Sequence, residues 1–165
     1  MRLVIISDIH DNLVNLKKCL NWCLKNDIQS TLCCGDVTNR ETLDYLVKNF
    51  PRPIYLVKGN VEIFREEEMD EYSDEVLKFG GKFNIWKIGD KLIGACHEPY
   101  LIDKVLEKGD CDIVFYGHTH KPWEEKRIGV RVVNPGTLGG VFSLGTFATY
   151  DTNNSELELK ILNNI

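Results

Sequence analysis

The amino-acid sequence predicts an α/β protein, with βαβ units in its N-terminal half and a mostly β C-terminal half. Three observations carry this expectation. Short continuous apolar runs alternate with segments of helical periodicity as far as IYLV; from Lys82 onward short, turn-bounded runs replace that alternation; and several apolar runs end at a glycine or acid followed by a metal-capable side chain.

RLVIIS opens the chain as a continuous apolar run and reads as the first strand. DNLVNLKKCLNWCLKND follows, with Leu13, Leu16, Leu20 and Leu24 at helical spacing behind Asp11 or Asn12 as the cap. TLCC and IYLV are the next two strands. Between them TNRETLDYLVKNF places Leu43, Leu46, Val47 and Phe50 on one face, with Thr38 and Glu41 at capping-box spacing, and PRP stops the helix. REEEMDEYSDEVLKF, residues 65–79, predicts a surface helix with Met69, Tyr72, Val76 and Phe79 as its buried stripe. GGKFNIWKIGDKLIGAC then predicts a hairpin turning at Gly89-Asp90, and DIVFYG, WEEKRIGVRVV, GTFATYD and SELELKIL supply the remaining strands. No linker, repeat or low-complexity tract divides the chain, so residues 1–165 are expected to form a single domain.

Composition narrows the function classes. A content of 43% hydrophobic and 27% charged residues is ordinary for a globular protein, and the formal charge of -5 argues against an extended nucleic-acid surface. MRLVIISD reaches an acid too early for a signal peptide or membrane span, which predicts a soluble, cytoplasmic protein. The six cysteines show no CxxC pair and mostly lie in apolar segments, as buried thiols do in a reducing compartment.

The chemistry concentrates at five strand ends. LVIIS precedes Asp8 and His10, TLCC precedes Gly35-Asp36, IYLVK precedes Gly59-Asn60, LIGAC precedes His97, and DIVFY precedes Gly117-His118-Thr119-His120. All four histidines of the chain belong to this set. In a largely parallel sheet the carboxyl ends of the strands share one edge, so the five segments can converge there. The spacing of two in Asp8/His10 and His118/His120 suggests extended backbone with each pair on one face. Two carboxylates, one amide oxygen and four imidazoles exceed the needs of one tetrahedral zinc and suit two ions sharing a bridging carboxylate, the arrangement used in phosphoester hydrolysis.

The ordered set D-x-H, GD, GN, His and GHTH resembles the calcineurin-like metallophosphoesterases. SDIHDN, CCGDV, VKGNVE, ACHEP and YGHTH carry the likeness, and NPGT at 134–137 matches the small prokaryotic phosphodiesterases of that superfamily. The resemblance implies a four-layer α/β/β/α sandwich of two facing mixed β-sheets flanked by helices. It also implies Asp8, His10, Asp36 and His120 around a first metal and Asp36, Asn60, His97 and His118 around a second, with Asp36 bridging and Asp36, Asn60 and His97 among the catalytic residues. The ions expected are two divalent metals, manganese first, with nickel, iron, zinc or magnesium as alternatives. The expected reaction is hydrolysis of a small phosphodiester by a hydroxide held between the metals. Alternatives are a phosphomonoesterase of the same fold, or a metal-binding scaffold akin to the retromer subunit of this superfamily. The expected partner is a small phosphoester, with no membrane, and self-association is left open. Two departures stand out: Val61-Glu62 follows the GN pair where relatives carry His or Cys and then Asp, and Glu98-Pro99 follows His97 where relatives read Gly-His. Valine cannot protonate a leaving group, which leaves Glu62 and Glu98 as the substitutes to test.

Overall fold

The computed structural model describes residues 1–165. Two mixed β-sheets face each other, with helices on both outer surfaces. The first sheet is ordered β11-β10-β1-β2-β3-β4 and the second β5-β6-β7-β9-β8, as the following ranges define them.

β1 (Arg2–Ile6), β2 (Ser30–Cys33), β3 (Ile54–Leu56) and β4 (Leu77–Phe79) run parallel, while β10 (Thr146–Asp151) and β11 (Glu156–Ile161) extend the sheet antiparallel on the β1 side. In the second sheet β6 (Lys91–Cys96), β7 (Ile113–Phe115) and β9 (Val130–Asn134) are parallel neighbours, and β5 (Phe83–Ile88) and β8 (Trp123–Arg127) pair antiparallel at the edges. The predicted hairpin is present, with Ile88 opposite Lys91 across Gly89-Asp90.

Burial on both faces explains why β1 and β2 read as continuous apolar runs. Leu3, Ile5 and Leu32 point between the sheets and meet Ile93, Ile113 and Phe115. Val4, Ile6 and Cys33 point outward under α1 (Leu13–Lys25) and α2 (Arg40–Asn49), whose inner faces are Leu16, Cys19, Leu20 and Cys23, and Leu43, Leu46 and Val47. On the far side, Ile102 and Val105 of α3 (Ile102–Lys108) pack with Val114 and Val132. The result is the α/β/β/α order that the resemblance implied.

Several local expectations are corrected. Leu13 and Leu24 are exposed, and Cys19 and Cys23 complete the buried stripe of α1 beside Leu16 and Leu20. Five of the six cysteines are buried free thiols, and Cys111 is half-buried. Asn12, not Asp11, caps α1 by accepting the Asn15 amide, while Asp11 accepts hydrogen bonds from Asn39 and Thr42 at the start of α2. Thr38 forms no capping box: Asn39 occupies the N-cap, and the Thr38 hydroxyl is buried without a partner.

The segment 65–79 is not one helix. It forms a 3-10 turn over Glu66–Glu71 and then β4, which pairs with β3. Carboxylates four apart, as in Glu67/Glu71 and Asp70/Asp74, repel along an α-helix. Here Glu68 and Glu71 reach Arg40 and Glu66 reaches Lys58, while β4 covers the open edge of β3. The apolar residues still reach the core, with Met69 buried and Tyr72, Val76 and Phe79 partly so. The seven residues of α3 are too few for a helical periodicity to register in the sequence.

Candidate metal centre

All seven sequence-selected donors come together at the carboxyl ends of β1, β2, β3, β6 and β7. The loops after these strands are laced to one another. The amides of Asp8 and Ile9 bond to the carbonyls of Gly35 and Asp36 at 3.0 and 2.9 Å, and Gly117 bonds to the carbonyl of His97 at 3.0 Å. The His118 amide donates to both Asp8 carboxylate oxygens, at 3.2 and 3.1 Å, which joins the two sheets at the site.

The side chains converge by a different route from the one expected. Asp8, His10, Asp36, His118 and His120 all have positive φ, between 47° and 71°. Five of the seven donors therefore sit where the chain coils back over the strand ends rather than continuing extended. Non-glycine residues occupy this region at a cost, and such strain gathers at functional sites.

Two groups of atoms result. Around Asp8, Nε2 of His10 and Nε2 of His120 lie 3.0 Å apart, and His120 Nε2 is 3.2 Å from Asp8 Oδ1. Around Asp36, His97 Nε2 is 3.1 Å from Oδ2 and 2.9 Å from Asn60 Oδ1, which His118 Nδ1 approaches to 2.8 Å. Asp8, His10 and His120 each offer an atom within 4.8 Å of the others, and so do Asp8, Asp36 and His97. Asp36 Oδ2 also lies 3.9 Å from His10 Nε2, so one oxygen faces imidazoles of both groups.

The donor chemistry fits divalent cations. His97 Nδ1 sits 2.7 Å from the Cys34 carbonyl, which can only accept, so the neutral ring carries its proton there and aims the Nε2 lone pair at Asp36 and Asn60. Asp36 Oδ1 accepts the Val61 amide at 3.1 Å, leaving Oδ2 for the cluster. Asp8, Asp36 and His97 are buried. Burial would raise the Asp36 carboxyl, but His97, the Val61 amide and His10 together outweigh it and hold the group below the usual range; burial raises the Asp8 carboxyl; and Asp36 and Asp8 raise His97 against the opposing effect of burial.

Sequence reasoning missed the residues that brace this arrangement. Glu62 accepts the amides of Val37, Thr38 and Gly59, at 3.2, 2.7 and 3.2 Å, and so ties the loop carrying Asp36 to the loop carrying Asn60. Burial raises its carboxyl above the ordinary range, with these amides acting against the shift. Asn134 donates to the Gly117 carbonyl at 2.8 Å, and Thr137 donates to the Asp8 carbonyl at 2.9 Å. The NPGT motif was the only signal for the last two. Glu98, by contrast, accepts the Tyr100 hydroxyl at 3.3 Å in an exposed contact.

Glu62→Gln should weaken metal binding by about 10- to 100-fold, the usual cost of losing an outer partner. The amide keeps one acceptor but turns its NH₂ toward donors. Metal titration of the variant, with circular dichroism to confirm folding, checks this; unchanged affinity would contradict the bracing role.

This fold, with its donors gathered at the strand ends, defines a metallophosphoesterase-type protein, and the family model of the calcineurin-like phosphoesterase superfamily domain matches residues 1–155. The chain belongs to that superfamily. Among relatives it is 27% identical to a phosphodiesterase of Methanocaldococcus jannaschii, over 94% of this chain and 96% of that protein. The fold is shared with an archaeal phosphodiesterase at 24% identity and a TM-score of 0.85, covering 98% of this chain and 99% of that one. It also resembles Vps29 of Entamoeba histolytica, solved with zinc, at 25% identity and a TM-score of 0.70, covering 96% and 90% of the two chains.

Proposed function

We propose that the protein is a metal-dependent phosphodiesterase acting on a small phosphodiester. The observation that carries this is the convergence of seven oxygen and nitrogen donors from five strand ends into two adjoining groups. Asp8, His10, Asp36 and His120 would hold one divalent ion, and Asp36, Asn60, His97 and His118 the other, with Asp36 shared. When bound, such a pair supplies a nucleophile at neutral pH and positive charge for the phosphoryl oxygens. The donor set suits manganese, nickel, iron, zinc or magnesium, and manganese is the ion to try first.

The chain's own groups position that chemistry. The Cys34 carbonyl fixes the His97 tautomer, the Val61 amide turns Asp36, and Asp8 and Glu62 hold neighbouring loops in place. No placed acid stands ready for the leaving group. The Val61 side chain is exposed beside the cluster and carries no proton, and both Glu62 oxygens are engaged with backbone amides.

The rate should therefore depend steeply on the leaving group. General acid catalysis is typically worth about 10²–10⁴-fold, so p-nitrophenyl phosphodiesters should turn over readily and simple dialkyl esters hardly at all. Val61→His should help the poor leaving groups more. A flat dependence on leaving-group pKa, measured where chemistry limits the rate, would point to another acid, with Glu98 the first position to replace. Phosphomonoesters run in the same series separate phosphodiesterase from phosphomonoesterase activity. Metal binding with no turnover of any ester would favour the scaffold reading. We also place the protein in a reducing, cytoplasmic setting, which five buried free thiols support; no helix is long and apolar enough to cross a membrane.

A further inference from the structure

A cavity of about 390 Å³ is lined by His118 and His120 together with Lys121, Val141 and Phe142. Isolated exposed hydrophobes are ordinary. Phe142 differs in three respects: its ring is fully exposed, its φ is 60°, and it borders the donor cluster. A bulky residue with positive φ is a backbone outlier, and strain of this kind persists only where the surroundings enforce it.

The surroundings do enforce it. The loop 139–145 is pinned at its start by Gly139, whose amide donates to the Asp8 carbonyl at 2.9 Å, and by Gly140, whose amide donates to Thr137 Oγ1 at 3.2 Å. Ser143 Oγ donates to the His120 carbonyl at 3.4 Å, and the Gly145 carbonyl accepts the Leu162 amide at 2.9 Å. The loop is thus bonded to the same backbone that carries Asp8 and His120. The backbone on either side of Phe142 is thereby anchored beside the cluster, and the ring it carries is exposed.

We propose that this cavity is a substrate subsite that takes a planar aromatic arm of the phosphodiester, a nucleobase or comparable ring, stacked on Phe142 while the phosphate lies toward the donor cluster, on the side of His118 and His120. The inference rests on the phosphodiesterase reading and names the substrate class for it. Stacking suits the site because an aromatic face binds any base without a hydrogen-bonding code, and Lys121 adds a cation to the lining for an anionic ligand.

The test compares binding of thymidine 5′-monophosphate and ethyl phosphate to the manganese-loaded protein by calorimetry. The unmodified protein should bind the nucleotide about tenfold or more tightly, the scale of a base-aromatic stack. Phe142→Asn tolerates positive φ and removes the ring, so it should abolish that preference, whereas Phe142→Tyr should keep it. Equal affinities in the unmodified protein, or a preference that survives Phe142→Asn, would overturn the subsite. Because binding is read without turnover, failure of the phosphodiesterase reading shows separately, as no hydrolysis of p-nitrophenyl diesters by a protein that still discriminates the two ligands.

Discussion

Asp36→Ala should empty both ion positions and lower phosphodiesterase kcat/KM by on the order of a thousandfold or more, beyond the roughly 10- to 100-fold loss typical of an outer partner. The reason is local. Asp36 Oδ2 stands 3.1 Å from His97 Nε2 and 3.9 Å from His10 Nε2, so a single oxygen serves both donor groups. Truncation also removes the acceptor of the Val61 amide. Asp36→Asn keeps that acceptor and the side-chain shape but withdraws the negative charge, so it should retain the fold and still lose metal. Asp8 also offers an atom to both groups, but its nearest imidazoles are His120 at 3.2 Å and His10 at 3.8 Å, so Asp8→Asn should weaken the His10/His120 position first. Elemental analysis of the purified variants is the measurement. One tightly held ion surviving Asp36→Ala would contradict the shared-ligand arrangement.

The donors could be selected from sequence because each lies just beyond a strand buried on two faces, so an apolar run breaks abruptly into Asp, Asn or His. Their convergence follows from parallel order within each sheet together with the facing of the two sheets, which brings β1, β2 and β3 of one and β6 and β7 of the other to a common edge. The local geometry does not: spacing two suggested extended pairs, whereas Asp8, His10, His118 and His120 have positive φ, a state that no side-chain pattern specifies. The braces were hidden for a related reason. Val61 orients Asp36 through its backbone amide, to which sequence is blind, and Glu62 reads as a substitute acid although three backbone amides occupy its carboxylate. In the fold, 65–79 kept its predicted apolar contacts while forming a 3-10 turn and a strand, because Arg40, Lys58 and the free edge of β3 lie far away in sequence. Periodicity reported which residues are inside; the long-range partners decided the backbone.

Gly59→Ala should be the most damaging small substitution near the site. The φ of Gly59 lies outside the left-handed region, so alanine meets no such backbone strain there. The obstacle is steric: a Cβ would collide with the Asp36 carboxylate and backbone amide, and backbone cannot swing aside as a side-chain end can. The Asp36 loop cannot easily retreat either. Its neighbours Val37 and Thr38 are held by Glu62, and its carbonyl by Ile9 and His10. Overpacking of this kind costs about 1–3 kcal/mol, which lowers Tm by roughly 2–12 °C in a domain of this size. It should also displace Asp36 and Asn60 from each other and so abolish tight binding at the position they share with His97. Gly81→Ala provides the control. Its φ is 65° and nothing lies within 4 Å of the added carbon, so it should cost about 1 kcal/mol through backbone strain while leaving metal binding intact. Thermal denaturation in chelator, followed by metal titration, separates the two effects. If Gly59→Ala kept the affinity and stoichiometry of the unmodified protein, the close approach of the two loops would not be what sets the donor geometry.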